Sequence, residues 1–254
     1  MLPVRRPDVY PPYRSNLWRV IEGQYRASTM RIVDTDDEQS VLEDVLEAAK
    51  PPVPTPCQHL DYQFWSPFRY GRYPRASRFR RAGPTPGVWY GSESALTAVA
   101  ESIWGSLRFF AASPESPMPR WPVEHTAVMA DIRVDRSIDL TAPDMADQGR
   151  WQDPSDYSDC LDLADAVRED GCQAIRYASV RHPDRKANVA VLDCAGFVQP
   201  APIQTQTWHL MLTPTWVRAH CETLRQRHQF EVGETGLLYP SWEDNCPARG
   251  GSLL

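Results

Sequence analysis

Residues 171–194 read GCQAIRYASVRHPDRKANVAVLDC, and their order decides the fold class. Two apolar runs, Ala174–Tyr177 and Asn188–Cys194, are separated by the polar turn RHPDRKA. A helix is predicted just upstream, from about Asp159 to Asp170, stopped by Gly171, whose freedom at positive φ suits the position after a helix. Strands and helices are mixed here and elsewhere without regular βα alternation, which predicts an α+β fold.

Working outward, Thr126–Val134 reads as a strand and Ser94–Phe109 as a helix. The helix has an apolar face of Leu96, Val99, Ala100, Ile103, Trp104 and Leu107. Val88-Trp89-Tyr90 is a short strand feeding that helix, in an otherwise irregular stretch over 66–92. Residues 113–122 form a proline-rich loop and 141–158 a polar one. Downstream, strand Trp208–Leu212 leads through Thr213-Pro214, read as N-cap and first helical residue, into a helix to about Arg227. The tail from Glu231 reads as loop.

At the N-terminus, residues 1–16 read as a loose leader and Leu17–Val33 shows no clear period. Thr35-Asp-Asp-Glu38 is a capping box, followed by Val41, Leu42, Val45, Leu46 and Ala49 at helical spacing. Lys50 sits at the end of this helix and Pro51-Pro52 stops it. The stiff connector PPVPTP at 51–56 then sets the expected organisation. It comprises an extension over 1–60 with a helix near 35–50, a main domain over 61–230, and a tail over 231–254.

The chain has 254 residues and a net charge of −6, with 24 prolines against 13 glycines. That is enough chain for a sizeable core, with many rigid loops. The longest nearly apolar run, Val189–Val198, contains Asp193 and is too short to span a bilayer. No signal peptide is visible, since MLPVRRPDVYPPYRSN lacks an apolar run. The six cysteines (57, 160, 172, 194, 221, 246) are scattered with no CxxC pair. They predict reduced thiols in a cytoplasmic protein rather than a disulfide framework. The acidic balance argues against general nucleic-acid binding.

P-loop, GxGxxG, HExxH and GxSxG signatures are absent. Cys57-x-His59 and His220-Cys221 are poor metal spacings, and His220 reads as a core residue of the last helix, so no metal is implied. The unusual stretch is Phe68–Arg81, FRYGRYPRASRFRR, with six arginines and four aromatics in 14 residues. Guanidinium forks hold phosphate bidentately and stack on flat rings, so the loop suits an anionic ligand. It equally fits a solvated basic loop or a single-stranded nucleic-acid surface. Glu101 lies at the edge of its helix's apolar arc, 11 residues after Tyr90. A phenol and a carboxylate at the mouth of one strand–helix unit suit a planar leaving group beside a cationic sugar. Ser179 and Asn188 flank a turn, where small donors and acceptors serve either the turn or a ligand.

Together these residues resemble the RES domain family, named for an Arg, a Glu and a Ser, over roughly Pro67–Val198. The resemblance rests on Pro67-Phe-Arg69-Tyr70, Ser77-Arg78-Phe79, Gly87-Val-Trp-Tyr90 and Thr97-Ala98-Val99-Ala100-Glu101. It continues through Gly171-Cys-Gln-Ala-Ile-Arg-Tyr177-Ala-Ser179-Val-Arg181 and Asn188-Val-Ala-Val. Family members are typically toxins of toxin–antitoxin pairs. The resemblance implies a compact α+β core similar to ADP-ribosyltransferases, with a mixed β-sheet, flanking helices and an N-terminal helical extension.

The resemblance also implies breakage of the nicotinamide–ribose bond of NAD⁺, with phosphate, water or a protein side chain as acceptor. NAD is then a substrate and no metal is needed. Carried over by residue, Arg69 and Arg78 grip the pyrophosphate or ribose side, with Tyr70 beside them in the binding set. Arg72, Arg75 and Arg81 compete with them for that role. Tyr90 stacks on nicotinamide or positions its ribose, and Glu101 anchors the ribose hydroxyls and stabilises the oxocarbenium ion. Ser179 bonds the nicotinamide-ribose end and Asn188 supports the turn. Ala178 stands where the family commonly has Pro. The implied partner is an Xre-type antitoxin, through which alone nucleic acid is contacted; no membrane partner is implied. Rival readings are a protein ADP-ribosyltransferase using the same site, a nucleic-acid-binding module built on 68–81, and a scaffold that binds NAD without turnover.

Overall fold

Leu17–Glu22, the start of the stretch without a clear period, lies in the middle of the sheet, and so do Tyr13–Asn16, which the sequence places in a loose leader. Tyr13–Glu22 forms strand β1, antiparallel along its whole length to β5 (Val123–Val134), with Trp18 opposite Met129. Leu17 and Trp18 are both buried because both faces of this strand are covered, and a strand buried on two sides shows no alternation to read. A computed structural model describes residues 10–22, 33–113, 115–143, 145, 149–233 and 238–243, the last as backbone. Cys246, most of the expected leader and residues 23–32 lie outside them.

Among the described residues the main sheet has ten strands. They run from β12 (Leu238–Glu243) through β11 (Gln226–Val232), β10 (Trp216–Cys221), β9 (Gln204–Leu212), β5, β1 and β4 (Trp89–Ser92). The order continues through β8 (Ala187–Val191) and β7 (Ala174–Ala178) to β6 (Ser137–Asp139). Pairing is antiparallel except between β6 and β7, so the sheet is mixed, as expected of an α+β fold. A separate two-stranded ribbon joins β2 (Arg72–Tyr73) to β3 (Gly83–Pro84).

Among the described residues there are four α-helices, α1 (Asp36–Ala48), α2 (Tyr62–Arg69), α3 (Ala95–Ala112) and α4 (Ser158–Glu169), of which α2, α3 and α4 pack on the sheet. On one face, Val99, Ile103 and Leu107 of α3 pack on Trp18, Ala127, Trp208 and Leu210. Farther along that face, Leu163 and Val167 of α4 pack with Ile175, Ala190 and Phe79. On the opposite face, Phe64 of α2 packs with Trp89, Val128, Ile132 and Phe197. Gly87 is required where the chain passes the end of α2, because a Cβ there would meet the Pro67 carbonyl oxygen at 2.1 Å. Gly171 takes φ +75° after α4, as the sequence predicts.

Three expectations fail. The helix predicted from Thr213 to Arg227 is instead the hairpin β10–β11. Val217, Ala219 and Cys221 are buried between Arg218 and His220, a period of two that the Thr-Pro helix-start signal obscured. Thr213 caps no helix; its Oγ1 donates to the Trp216 carbonyl and accepts from the Trp216 N–H. His220 therefore sits on a strand, partly exposed. The tail is likewise not all loop, since β11 continues to Val232 and β12 pairs with it. Within 66–92, the chain opens on the end of α2 rather than irregularly.

The cysteine expectation fails as well. Cys57 and Cys194 are joined in a disulfide with Cα atoms 5.5 Å apart and a sequence separation of 137. Each sits in a short 3₁₀ turn (Thr55–Cys57 and Cys194–Gly196) under α2, a proximity created by tertiary packing and absent from the spacing. Cys160, Cys172 and Cys221 are free and buried. Because the bridge closes so long a loop, Cys57→Ser is expected to lower unfolding stability by about 2–5 kcal/mol. Urea midpoints of wild type and variant, each with and without reductant, check this. Reductant should move only the wild type.

Candidate active site

Five of the residues that the sequence reading singled out, Arg78, Tyr90, Glu101, Ser179 and Asn188, converge on the α3 face of the sheet. Side chains alternate along a strand, so Tyr90 and Ser92 of β4 point to the same side as Asn188 and Ala190 of β8. Their register fixes this, with Tyr90 opposite Ala190 and Ser92 opposite Asn188. On the other side of β8, Tyr177 of β7 is also opposite Asn188. Glu101 comes down from α3 above these strands, because the apolar neighbours Ala98, Val99, Ala100 and Ile103 bury that side of the helix. Between them lies a cavity of about 340 Å³.

Glu101 is held on one oxygen. Ser179 Oγ donates to Glu101 Oε1 at 2.7 Å, and Asn188 Nδ2 donates to the same oxygen at 2.7 Å. Each donor is itself fixed. Ser179 Oγ accepts from the backbone N–H groups of Arg181 (3.2 Å) and His182 (3.0 Å), which turns its own proton toward the carboxylate. Ser92 Oγ donates to Asn188 Oδ1 at 2.6 Å, which sets the amide so that its NH₂ faces Glu101. The buried polar groups of this cluster are satisfied by one another, as burial demands. The result is a carboxylate of fixed orientation on the wall of a cavity.

Tyr90 lines the same cavity, with its hydroxyl turned to the arginine-rich loop. It lies 2.9 Å from Ser77 Oγ and accepts from the Phe79 N–H at 3.0 Å. Burial pushes this phenol above its ordinary value, against the opposing effect of those two contacts. The turn it grips carries Arg78, which is buried and also borders the cavity. Arg78 donates to the carbonyls of Trp151 (3.0 Å) and Asp153 (2.9 Å) and lies 4.5 Å from the Tyr157 ring.

Arg69 and Tyr70 are not brought to this cavity. Arg69 ends α2, donating from Nε to the Pro51 carbonyl at 2.5 Å and pairing with Glu47 of α1 at 2.7 Å. Tyr70 is exposed beside it. Among the competing arginines, Arg81 pairs with Asp162 and Asp165 of α4. Arg72 and Arg75 are exposed outside the cavity lining. Four of the six arginines of 68–81 thus have intramolecular roles, since Arg80 also donates to the Arg75 carbonyl and covers Tyr73.

Sequence reasoning missed Arg19, Ser92, Trp104, Tyr157 and Arg181, all of which line the cavity. Arg19 arrives from β1, donates to the Tyr90 carbonyl at 3.4 Å, and is pushed down to about 10 by burial. Its guanidinium stacks on the Trp89 ring at 5.7 Å, on the α2 side of the sheet. Arg181 stacks on Trp104 at 3.6 Å and donates to the Pro154 carbonyl and the Tyr157 hydroxyl, and burial lowers its pKa too. A lone Arg between Trp18 and Val20 was the readable signal for Arg19. Nothing local marked Ser92.

A single carboxylate, four arginines (19, 78, 108 and 181) and five aromatic side chains (Trp18, Tyr90, Trp104, Tyr157 and Tyr177) therefore line one cavity. Such a wall suits a ligand that joins an anionic group to a flat ring, with Glu101 facing a cationic centre. Among the described residues no group of His, Cys, Asp or Glu is placed to hold a metal ion. No helix among them is long and apolar enough to cross a membrane.

The RES domain family model matches residues 53–213, and the chain belongs to that family. The matched span carries Tyr90, Glu101, Ser179 and Asn188, while Arg19 comes from outside it. A solved structure similar to this chain is that of the M. tuberculosis MbcT–MbcA toxin–antitoxin complex. It shows 14% identity and a TM-score of 0.45, covering 83% of this chain and 92% of that one. No curated protein matches.

Proposed function

We propose that this chain is an NAD⁺-consuming enzyme that breaks the nicotinamide–ribose bond, and that it is the toxin of a cytoplasmic toxin–antitoxin pair. The observation that carries the reading is the doubly held Glu101 on the wall of a cavity otherwise lined by arginines and aromatic rings. Membership of the RES family supports the same reading.

In this mechanism the cationic guanidinium groups bind the pyrophosphate, with Arg108, exposed beside the Trp104 ring, the least engaged of them. Tyr90 and Trp104 bound the flat leaving group. Nicotinamide departs as a neutral molecule with the C1–N bond electron pair, leaving positive charge on the ribose. The anionic Glu101 lies against that charge, and its orientation is already fixed, so no reorganisation is needed as the charge develops. Phosphate or water then forms the new bond to C1, losing a proton when water attacks. Ser179 and Asn188 act on the carboxylate rather than on the ribose. This departs from the roles the family resemblance implies for them. The chemistry needs neither a metal nor a covalent intermediate.

Ser92 acts through Asn188. Ser92→Ala is expected to reduce kcat by roughly tenfold with little change in KM, because the amide loses the bond that orients it. Ser92→Thr, which keeps the hydroxyl, should recover most of the rate. Initial rates of nicotinamide release over a range of NAD⁺ concentrations separate the two constants.

The reaction is tested by mass analysis of products from NAD⁺ with the purified chain, in phosphate and in phosphate-free buffer. ADP-ribose phosphate in the first and ADP-ribose in the second support phosphorolysis and hydrolysis respectively. Label appearing only on protein would replace both with transfer to a protein acceptor. Unchanged NAD⁺ under every condition would remove the proposal.

A further inference from the structure

Two surfaces away from the candidate active site fit each other. The first is α1. It is tied to the rest of the molecule through Glu47, which pairs with the buried Arg69, yet its apolar stripe is open. Val41, Val45 and Leu46 are 63%, 61% and 46% exposed, and the exposed acids Asp36, Asp37 and Asp44 lie along the same helix. A helix normally buries such a stripe. The second surface is a groove of about 630 Å³ over β9, β10 and β11, on the sheet face opposite α3. Met211 contributes apolar surface, and Arg218, Arg227, His209 and His220 line it. Carboxylates facing these groups are Glu222, bonded to His209 at 3.0 Å, and Glu124 of β5, opposite His209 in register; Gln229 is bonded to Arg218 at 2.9 Å.

We propose that α1 of one copy of this chain docks into the β9–β11 groove of a second copy, and reciprocally, giving a two-fold dimer. Size and charge both favour that occupant. Three adjacent strands span about 10 Å between the outer two, close to the diameter of one helix. The helix is acidic with an apolar centre, and the groove sets Met211 directly across from Arg218 with Arg227 farther along, so apolar burial and charge pairing act together. A reciprocal contact closes on itself rather than propagating into filaments. It also gives a role to the helix before residue 53 and to the strands after residue 213, which the family model leaves outside its match.

Light scattering and sedimentation of the full chain over a concentration series test this. Wild type should reach twice the 28.9 kDa chain mass. Val45→Asp and Arg218→Glu, both at exposed positions, should each be monomeric at concentrations where wild type is dimeric. Mixing the two variants restores one intact helix–groove contact per pair and should return dimer, which neither variant forms alone. A wild type that stays monomeric, a dimer indifferent to both substitutions, or a mixture that stays monomeric would overturn the proposal. Binding of a polyanion such as heparin to a monomeric wild type, lost in Arg218→Glu, would assign the groove to an anionic ligand instead.

Discussion

Glu101→Gln is expected to slow NAD⁺ consumption by about 10²–10³-fold, equivalent to about 2.7–4 kcal/mol of lost transition-state stabilisation. The substitution tests charge alone. A glutamine side-chain oxygen still accepts from Ser179 Oγ and Asn188 Nδ2, the two donors now held on Glu101 Oε1. The cavity wall should therefore keep its shape and NAD⁺ should still bind, because the arginines that face it are untouched. What disappears is the negative charge beside the developing oxocarbenium ion. The expected pattern is a collapse of kcat with KM close to wild type and an unchanged thermal midpoint. If Glu101 only filled space or capped a turn, the near-isosteric change would leave kcat close to normal.

The second large effect falls on stability as well as binding. Arg78→Ala is expected to cost about 3 kcal/mol of folding free energy, because hydrogen bonds from a charged donor are removed and buried acceptors are left unpaired. Arg78 is 7% exposed and holds the carbonyls of both Trp151 and Asp153, tying the 150–157 segment to the turn that Tyr90 grips. Releasing it opens one whole wall of the cavity, so NAD⁺ affinity should fall together with the urea midpoint. Arg78→Lys should recover little of either, since an ammonium cannot reach two carbonyls in the planar fork geometry of a guanidinium. A stable Arg78→Ala protein with only its KM raised would instead make Arg78 a plain ligand contact.

Much of the catalytic half of the molecule was legible in the sequence, for reasons specific to its elements. The helix carrying Glu101 has a continuous apolar stripe, and β7 and β8 are short apolar runs closed by an obvious turn, so their existence and order could be read directly. Glu101, Tyr90, Ser179 and Asn188 then meet because antiparallel register places Ser92, Tyr177 and Asn188 side by side, a consequence that no local pattern states. Ser92 was invisible for the same reason: its partner lies 96 residues away. Arg69, which the family resemblance assigns to the ligand, is turned by α2 toward Glu47 and Pro51, a direction that no local pattern states. β1 was unreadable because a strand covered on both faces does not alternate. The β10–β11 hairpin was misread because Thr-Pro imitates a helix start, although the alternation of Val217, Ala219 and Cys221 was available. The Cys57–Cys194 bridge depends on packing across 137 residues and could not be read from spacing at all.

The most direct test of the central claim is the time course of NAD⁺ loss with purified wild-type chain, with Glu101→Gln run in parallel. The account predicts continuous loss with stoichiometric release of nicotinamide by the wild type and loss slower by orders of magnitude in the variant. NAD⁺ that survives the wild-type chain intact, or falls at equal rates with both proteins, would contradict it.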